Sequence, residues 1–152
     1  MDINGKNFIT FLDREKQFKE QESDASLERQ HSRGKLTARE RINLLFDEGT
    51  FEEVDAFVTP PKTNGGFGKV AHSFGDGVII GHGKISNRLA FAYAQDFNVM
   101  GGSLGAVHAA KIAKIQDMAL KMGAPIIGLI DAGGTRIQEG IASLAGYASI
   151  FY

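Results

Sequence analysis

The sequence predicts a mixed α/β fold, with ββα turns behind an N-terminal helical arm. Three observations predict it. Residues 77–85 and 88–97 are two runs of strand character separated by Ser86-Asn87, which reads as a hairpin turn. A helical apolar period over residues 104–121 follows, then an apolar, β-branched run at 125–130, then a second helical period from Ile137. Both strand-to-helix junctions carry a glycine pair, Gly101-Gly102 and Gly133-Gly134.

Residues 8–30 are polar and mostly helix-forming, with a sparse apolar stripe of Phe8, Phe11, Leu12, Phe18 and Leu27. That pattern suits a helical arm packed on something else. The TARE sequence at 37–40 is a capping box, in which the Thr37 hydroxyl caps and Glu40 reaches back. It opens a short helix carrying Ile42, Leu44, Leu45 and Phe46, ended at residues 47–49 by DEG. Residues 51–58 read as a strand. Residues 59–75, with Pro60-Pro61 and several glycines, read as a loop and as the place for any flexibility. The helix over 104–121 presents Leu104, Val107, Ile112, Ile115, Met118, Ala119 and Met122, and Gly123 with Pro125 stops it. The last helix carries Ile137, Ile141, Leu144, Ala148 and Phe151 at helical spacing. Two segments result: residues 1–50, an arm with a basic capping segment, and residues 51–152, an α/β domain.

Composition bounds the function. A chain of 152 residues, 43% hydrophobic, can bury one core. A net charge of −1 argues against nucleic acid as a partner. Without cysteine there is no disulfide, thiolate metal site or cysteine nucleophile. No apolar run approaches membrane-spanning length, and the N-terminus has no apolar signal core, so a cytoplasmic location is expected. The last amphipathic period reaches Tyr152 with no cap or stop signal, which suggests part of a longer protein.

The glycine pairs are the candidate chemistry. Glycine at the end of a strand lets backbone N–H groups face outward without a Cβ in the way, and a helix start adds free donors. Such donors can stabilise a carbonyl oxygen that becomes an oxyanion. A phosphate cradle uses the same parts, and a tight turn that needs glycine only for its dihedrals is the plain alternative. Neither pair matches a mononucleotide loop or a dinucleotide fingerprint. Arg33, Lys35, Arg39 and Arg41 form a basic cluster suited to phosphates, or else a solvated helix face. His31, His72, His82 and His108 lack metal-ligand spacing, so no metal is expected, and His108 is expected to pack beside its helix. Ser103 suits N-capping and not catalysis. Asp131 and Glu139 could serve as acid–base groups, but Asp131 is expected to fix a turn, and Glu139 to sit on an exposed helix face.

Four ordered blocks carry a family resemblance: RGKLTARERI (33–42), GDGVIIGHGKI (75–85), AQDFNVMGGSLGAVHAAKI (94–112) and DAGGTRIQEGIASLAGY (131–147). From about Gln30 onward the chain resembles the acyl-CoA carboxyltransferases. These include the β subunits of propionyl-CoA and acetyl-CoA carboxylases and the α subunits of methylmalonyl-CoA and glutaconyl-CoA decarboxylases. The resemblance implies a crotonase-like (ClpP/crotonase) ββα superhelix, incomplete here, with the C-terminal domain absent. It implies a CoA thioester as substrate and biotin carried on a partner, with CO2 moving between carboxybiotin and the α-carbon of a short acyl-CoA. It implies biotin carboxyl carrier and biotin carboxylase subunits, or membrane decarboxylase subunits, as partners, and a homo-oligomer of the full-length subunit. Gly133 and Gly134 are then expected to supply oxyanion-hole amides, and Arg33, Lys35 and Arg39 to lie near the CoA phosphates. Placing Gly101 and Gly102 in the same pocket rests on their position. Two other readings are a crotonase-like CoA hydratase or isomerase, which needs a carboxylate poised at the substrate α-carbon, and a non-catalytic assembly subunit.

Overall fold

The computed structural model describes residues 3–20, 24–61 and 68–152. Three helices lead: α1 (Ile3–Glu20), α2 (Asp24–His31) and α3 (Ala38–Leu45). The capping box at α3 forms as the sequence predicts. The Glu40 N–H donates to the Thr37 hydroxyl at 3.2 Å, and the Thr37 N–H donates to Glu40 Oε2 at 2.8 Å. The arm packs through aromatic rings: Phe11 and Phe18 lie 6.0 and 5.3 Å from Phe57, and Phe18 lies 6.4 Å from Phe74. The Phe8 side chain of the predicted stripe lies outside the described residues.

A four-stranded sheet follows: β1 (Glu52–Val54), β2 (Val78–Ile85), β3 (Arg88–Gln95) and β4 (Ile126–Leu129), in that spatial order. The first three strands run antiparallel and β4 runs parallel to β3. The expected hairpin is present, with Ser86 and Asn87 at φ +49° and +64°. Both positive dihedrals match the twist of the flanking strands. The strand expected at 51–58 is only three residues long, because Asp55 turns the chain at φ +56°. Of the expected loop, residues 62–67 lie outside the described residues.

Each sheet face has its own cover, and strand alternation assigns it. Val78, Ile80 and Phe91 meet α4 (Ala106–Met122) through Ile112, Ile115 and Ala119. On the other face Ala90, Ala92 and Ala94 meet Ala38, Ile42 and Phe46 of the α3 segment. Small residues permit that approach. A Cβ on Gly81 would stand 2.3 Å from the Glu52 carbonyl, and one on Gly83 would stand 2.8 Å from the Phe46 ring. Gly123 ends α4 at φ +62°, with its N–H on the Ala119 and Leu120 carbonyls, as the stop signal predicts. β2, β3 and α4 therefore form one ββα unit.

α5 (Ile141–Phe151) corrects the expected face. Ile141, Leu144 and Phe151 are 84%, 58% and 82% exposed, and Ala148 is also exposed. The inward positions are Ser143, Gly146, Tyr147 and Ile150. A Cβ on Gly146 would stand 2.6 Å from the Ala109 Cβ, so the glycine lets α5 lie close against α4. Among the described residues no helix is long and apolar enough to cross a membrane.

Candidate active site

The two glycine turns meet. The Gly133 N–H donates to the Gly101 carbonyl at 2.8 Å, the Leu104 N–H to the Gly134 carbonyl at 2.8 Å, and the Arg136 N–H to the Leu104 carbonyl at 3.0 Å. Leu104 and Thr135 thereby form a short parallel bridge that carries the sheet pairing past its strand ends. Gly102 is pressed on the other turn, since a Cβ there would stand 2.1 Å from the Asp131 carbonyl.

The donors divide unequally. The Gly133 N–H is spent on Gly101, and the Gly102 N–H on Val99 at 3.0 Å. The Gly101 and Gly134 N–H groups have no acceptor among the described residues. Gly134 sits at φ +105°, a conformation that side-chain-bearing residues rarely adopt, with open space where a Cβ would point. It does not open a helix, as the sequence pattern implied. A 3-10 turn (Ile137–Glu139) intervenes, and α5 begins only at Ile141.

Beneath the turns lies a buried polar cluster that sequence reasoning did not assemble. Arg136, 1% exposed, donates to Asp76 Oδ1 at 2.5 Å, Glu139 Oε1 at 2.8 Å and the Ser103 carbonyl at 2.9 Å. Each carboxylate also takes an amide from the start of α4. Glu139 Oε2 accepts from Ala106 N–H at 2.6 Å, and Asp76 Oδ2 accepts from His108 N–H at 2.9 Å. Ser103 therefore makes no cap, and Gly105 occupies the N-cap position without a side-chain bond. Glu139 is not on an exposed helix face, for its carboxylate is 1% exposed. These contacts occupy two of the amides a phosphate would use at the start of α4. The signals were Arg136 and Glu139 at i,i+3 spacing and Asp76 between two glycines.

The cluster sets its own protonation. Burial pushes the Asp76 carboxyl above its ordinary value, against the Arg136 guanidinium, which favours the anion. His108 is fully buried, as packing beside the helix predicted, and burial pushes it down to about 3. Its Nδ1–H donates to the Asp76 carbonyl at 2.9 Å, while Nε2 faces Gln95 Nε2 at 3.2 Å. Lys111 donates to the Gly75 and Val78 carbonyls at 2.9 and 2.5 Å, and burial pushes its amine down to about 8.

An open cleft of about 340 Å³ adjoins Asp131, lined by Lys35, Leu36, Arg41, Ile130 and Asp131. Lys35 Nζ donates to Asp131 Oδ1 at 3.0 Å, so the basic segment is tied to the turn that carries Gly133 and Gly134. Asp131, expected to fix a turn, makes this ion pair instead of standing free. Arg33 and Lys35 lie 5.9 and 5.5 Å from the Phe97 ring centroid. Arg41, in the cluster but not among the expected contacts, donates to the Gln95 carbonyl at 2.6 Å and lines the cleft. Arg39 is held elsewhere, with its guanidinium 2.5 Å from Glu53 Oε2 and over the Phe18 ring. Among the described residues no cluster of three or more His, Asp or Glu side chains could hold a metal ion.

The carboxyl transferase domain family matches residues 29–152. The chain belongs to that family. It is 58% identical over 125 residues to the propionyl-CoA carboxylase beta chain of Cereibacter sphaeroides, covering 82% of this chain and 24% of the relative. It is 54% identical over 127 residues to the methylmalonyl-CoA decarboxylase subunit alpha of Veillonella parvula, covering 83% and 25%. Among solved structures it resembles the transcarboxylase 12S core with methylmalonyl-coenzyme A and methylmalonic acid bound, at 40% identity and a TM-score of 0.84. That likeness covers 99% of this chain and 29% of the 12S chain. A Pseudomonas malonate decarboxylase hetero-tetramer in complex with malonate matches at 32% identity and a TM-score of 0.66, covering 76% and 44%. The chain thus spans about a quarter of the length of the curated relatives it matches and is homologous to carboxyltransferase subunits of carboxylases and decarboxylases.

Proposed function

We propose that this chain is the CoA-thioester-binding part of a biotin-dependent carboxyltransferase acting on a short acyl-CoA of the propionyl or methylmalonyl kind. Residues 51–152 would be the first part of a crotonase-like N domain. Family membership supports the reaction class. The observation that carries the site is the Gly134 N–H, held free on a turn stitched to Gly101 and Leu104, three residues beyond Asp131 in the cleft lining.

In this reading Lys35, Arg33 and Arg41 hold the CoA phosphates, and the acyl thioester extends toward the glycine turns. Charge-assisted contacts favour phosphate, and the Phe97 ring beside Arg33 and Lys35 keeps both cations on this side. The Gly134 N–H donates to the thioester oxygen, which becomes more negative when the α-carbon takes on carbanion character. A preorganised donor of this kind contributes roughly 2.7–4 kcal/mol in the transition state. The Gly101–Gly133 contact fixes the turn and is not itself a donor to substrate. Biotin on a partner would bring or remove the carboxyl group, and no residue of this chain is assigned to it. Biotin carrier and carboxylase subunits, or membrane decarboxylase subunits, are the partners this reading calls for, together with copies of the full-length subunit.

A hydratase or isomerase reading is less well supported. It needs a carboxylate free to move a proton, and the nearby candidates are engaged: Asp131 by Lys35, Glu139 by Arg136 and Ala106, and Asp76 by Arg136 and His108. Titrating the chain with propionyl-CoA and with free CoA tests the proposal. Binding of both is expected, weakened by Lys35→Gln and by salt. Binding of neither would refute it.

A further inference from the structure

We propose that Arg136, Asp76 and Glu139 form a clasp whose task is to hold the Gly134 amide in position for the thioester carbonyl. These are positioning residues, not catalytic ones, and the inference rests on the oxyanion reading of Gly134.

Arg136 lies two residues beyond Gly134, and its own N–H closes the stitch to Leu104 at 3.0 Å. Its side chain then turns under both glycine turns and bonds to the Ser103 carbonyl, next to Gly102. The same group grips two carboxylates from different parts of the chain, Asp76 before β2 and Glu139 before α5. The second oxygen of each carboxylate is fastened to the first turn of α4. One cation thus ties four segments: the turn entering β2, each of the two glycine turns, and the start of α4.

A fold-support role alone explains this arrangement poorly. The cluster is almost wholly buried, with Arg136 and Asp76 each 1% exposed, and burying charge costs several kcal/mol per ion before pairing offsets it. Apolar residues of similar volume would often support the fold equally well. Charges instead enforce one geometry, because each bond has a fixed length and direction. The element that needs such definition is Gly134. Its φ of +105° is open to many alternatives for glycine, and nothing lies within 4 Å of where a Cβ would point. Its carbonyl is pinned by the Leu104 N–H, and Arg136 holds the chain on either side of that amide through the Ser103 and Leu104 carbonyls. Ser143, fully buried, adds a bond to the Arg136 carbonyl at 3.0 Å.

The test uses the chain with propionyl-CoA labelled with carbon-13 at the thioester carbonyl. A hydrogen bond to that oxygen moves the carbon signal downfield, and the wild type is expected to show this shift on binding. Glu139→Gln keeps an acceptor for Ala106 N–H but gives up the charge that holds Arg136. It is expected to lose more than half of the bound shift while retaining propionyl-CoA affinity, because the cleft at Lys35 is untouched. Glu139→Asp keeps the charge with a shorter reach and is expected to restore part of the shift. It also gives the comparison should the glutamine variant fail to fold. A folded variant with lowered thermal stability and the full bound shift would overturn the clasp and leave the Gly134 reading standing. Absence of any shift in the wild type would overturn the Gly134 reading and the clasp with it.

Discussion

Gly134→Ala separates the oxyanion role of this glycine from a merely conformational one. At Gly134 an added Cβ meets nothing within 4 Å, so steric overlap contributes nothing. The cost is the dihedral, since φ +105° is a glycine conformation, and holding alanine there costs about 1–3 kcal/mol. For a domain of this size each kcal/mol lowers Tm by about 2–4 °C, so a drop of about 2–12 °C is expected. Gly101→Ala is the control. Its φ is +66°, its Cβ also meets nothing, and the left-handed cost is about 1–2 kcal/mol. Gly102→Ala is the opposite extreme, because its Cβ would stand 2.1 Å from the Asp131 carbonyl and the two turns would have to part. The expected order of destabilisation is Gly102 first, then Gly134, then Gly101. Function should follow another order. In an assembled carboxyltransferase carrying these residues, alanine keeps the N–H but is driven away from φ +105°, which turns that N–H off the thioester oxygen, so Gly134→Ala is expected to cost up to about 10²–10³ in turnover, the loss typical of one oxyanion donor. Gly101→Ala, which leaves the Gly134 donor in place, should cost far less. The assays are thermal unfolding and carboxyl transfer on the same preparations. Turnover falling for Gly134→Ala only in proportion to stability, as for Gly101→Ala, would rule out the oxyanion role and leave a turn glycine.

Three further outcomes are expected. Among the basic residues expected at the CoA phosphates, Lys35→Gln and Arg33→Gln should weaken CoA-ester binding and flatten its salt dependence, while Arg39→Gln should do less because Glu53 holds Arg39 away from the cleft. Equal effects of all three in a calorimetric titration would contradict that division. For pH, His108 has an ordinary value of 6.5 and a folded value of about 3, so below 6.5 the unfolded chain binds a proton that the folded chain does not. Stability is thus fully present above pH 6.5 and lost as pH falls toward 3, by up to about 1.4 kcal/mol per pH unit. His108→Asn, which keeps a donor toward the Asp76 carbonyl, should show a shallower fall in denaturant unfolding, and parallel pH profiles would sink the assignment. Finally, the chain by itself is expected to bind CoA thioesters weakly and to transfer no carboxyl group, and turnover of a carboxybiotin donor by the purified chain would disprove this.

Local signals were legible in the sequence, and long-range ones were not. The capping box at Thr37, the Ser86-Asn87 hairpin and the Gly123 stop depend on neighbours a few residues apart, and each is present. The strand expected at 51–58 ends at Val54 because Asp55 takes a positive φ, which no pattern at that position signals. Ser103 looked like the cap of α4, but the capping oxygen comes from Glu139, 33 residues away. The periodicity before Tyr152 correctly gave a helix and wrongly gave its inward face. Ser143 and Gly146 face α4 because close approach selects small residues, and the larger apolar side chains are left outside. The two glycine turns were read as alike, yet one Gly133 amide is consumed in joining them. Which amide stays free is a property of the pairing, not of either turn alone.

In the proposed site the Gly134 N–H meets the thioester oxygen while the basic cleft meets the CoA phosphates. Nitrogen-15 and proton amide spectra of the chain, recorded as propionyl-CoA is added and again with free CoA, test it most directly. Propionyl-CoA is expected to move the Gly134 amide proton downfield and to leave the Gly133 amide, already bonded to Gly101, nearly still. Free CoA should shift signals around Lys35 and Asp131 and leave Gly134 unmoved. Binding of propionyl-CoA with an unmoved Gly134 amide, or an equal response to free CoA, would contradict it.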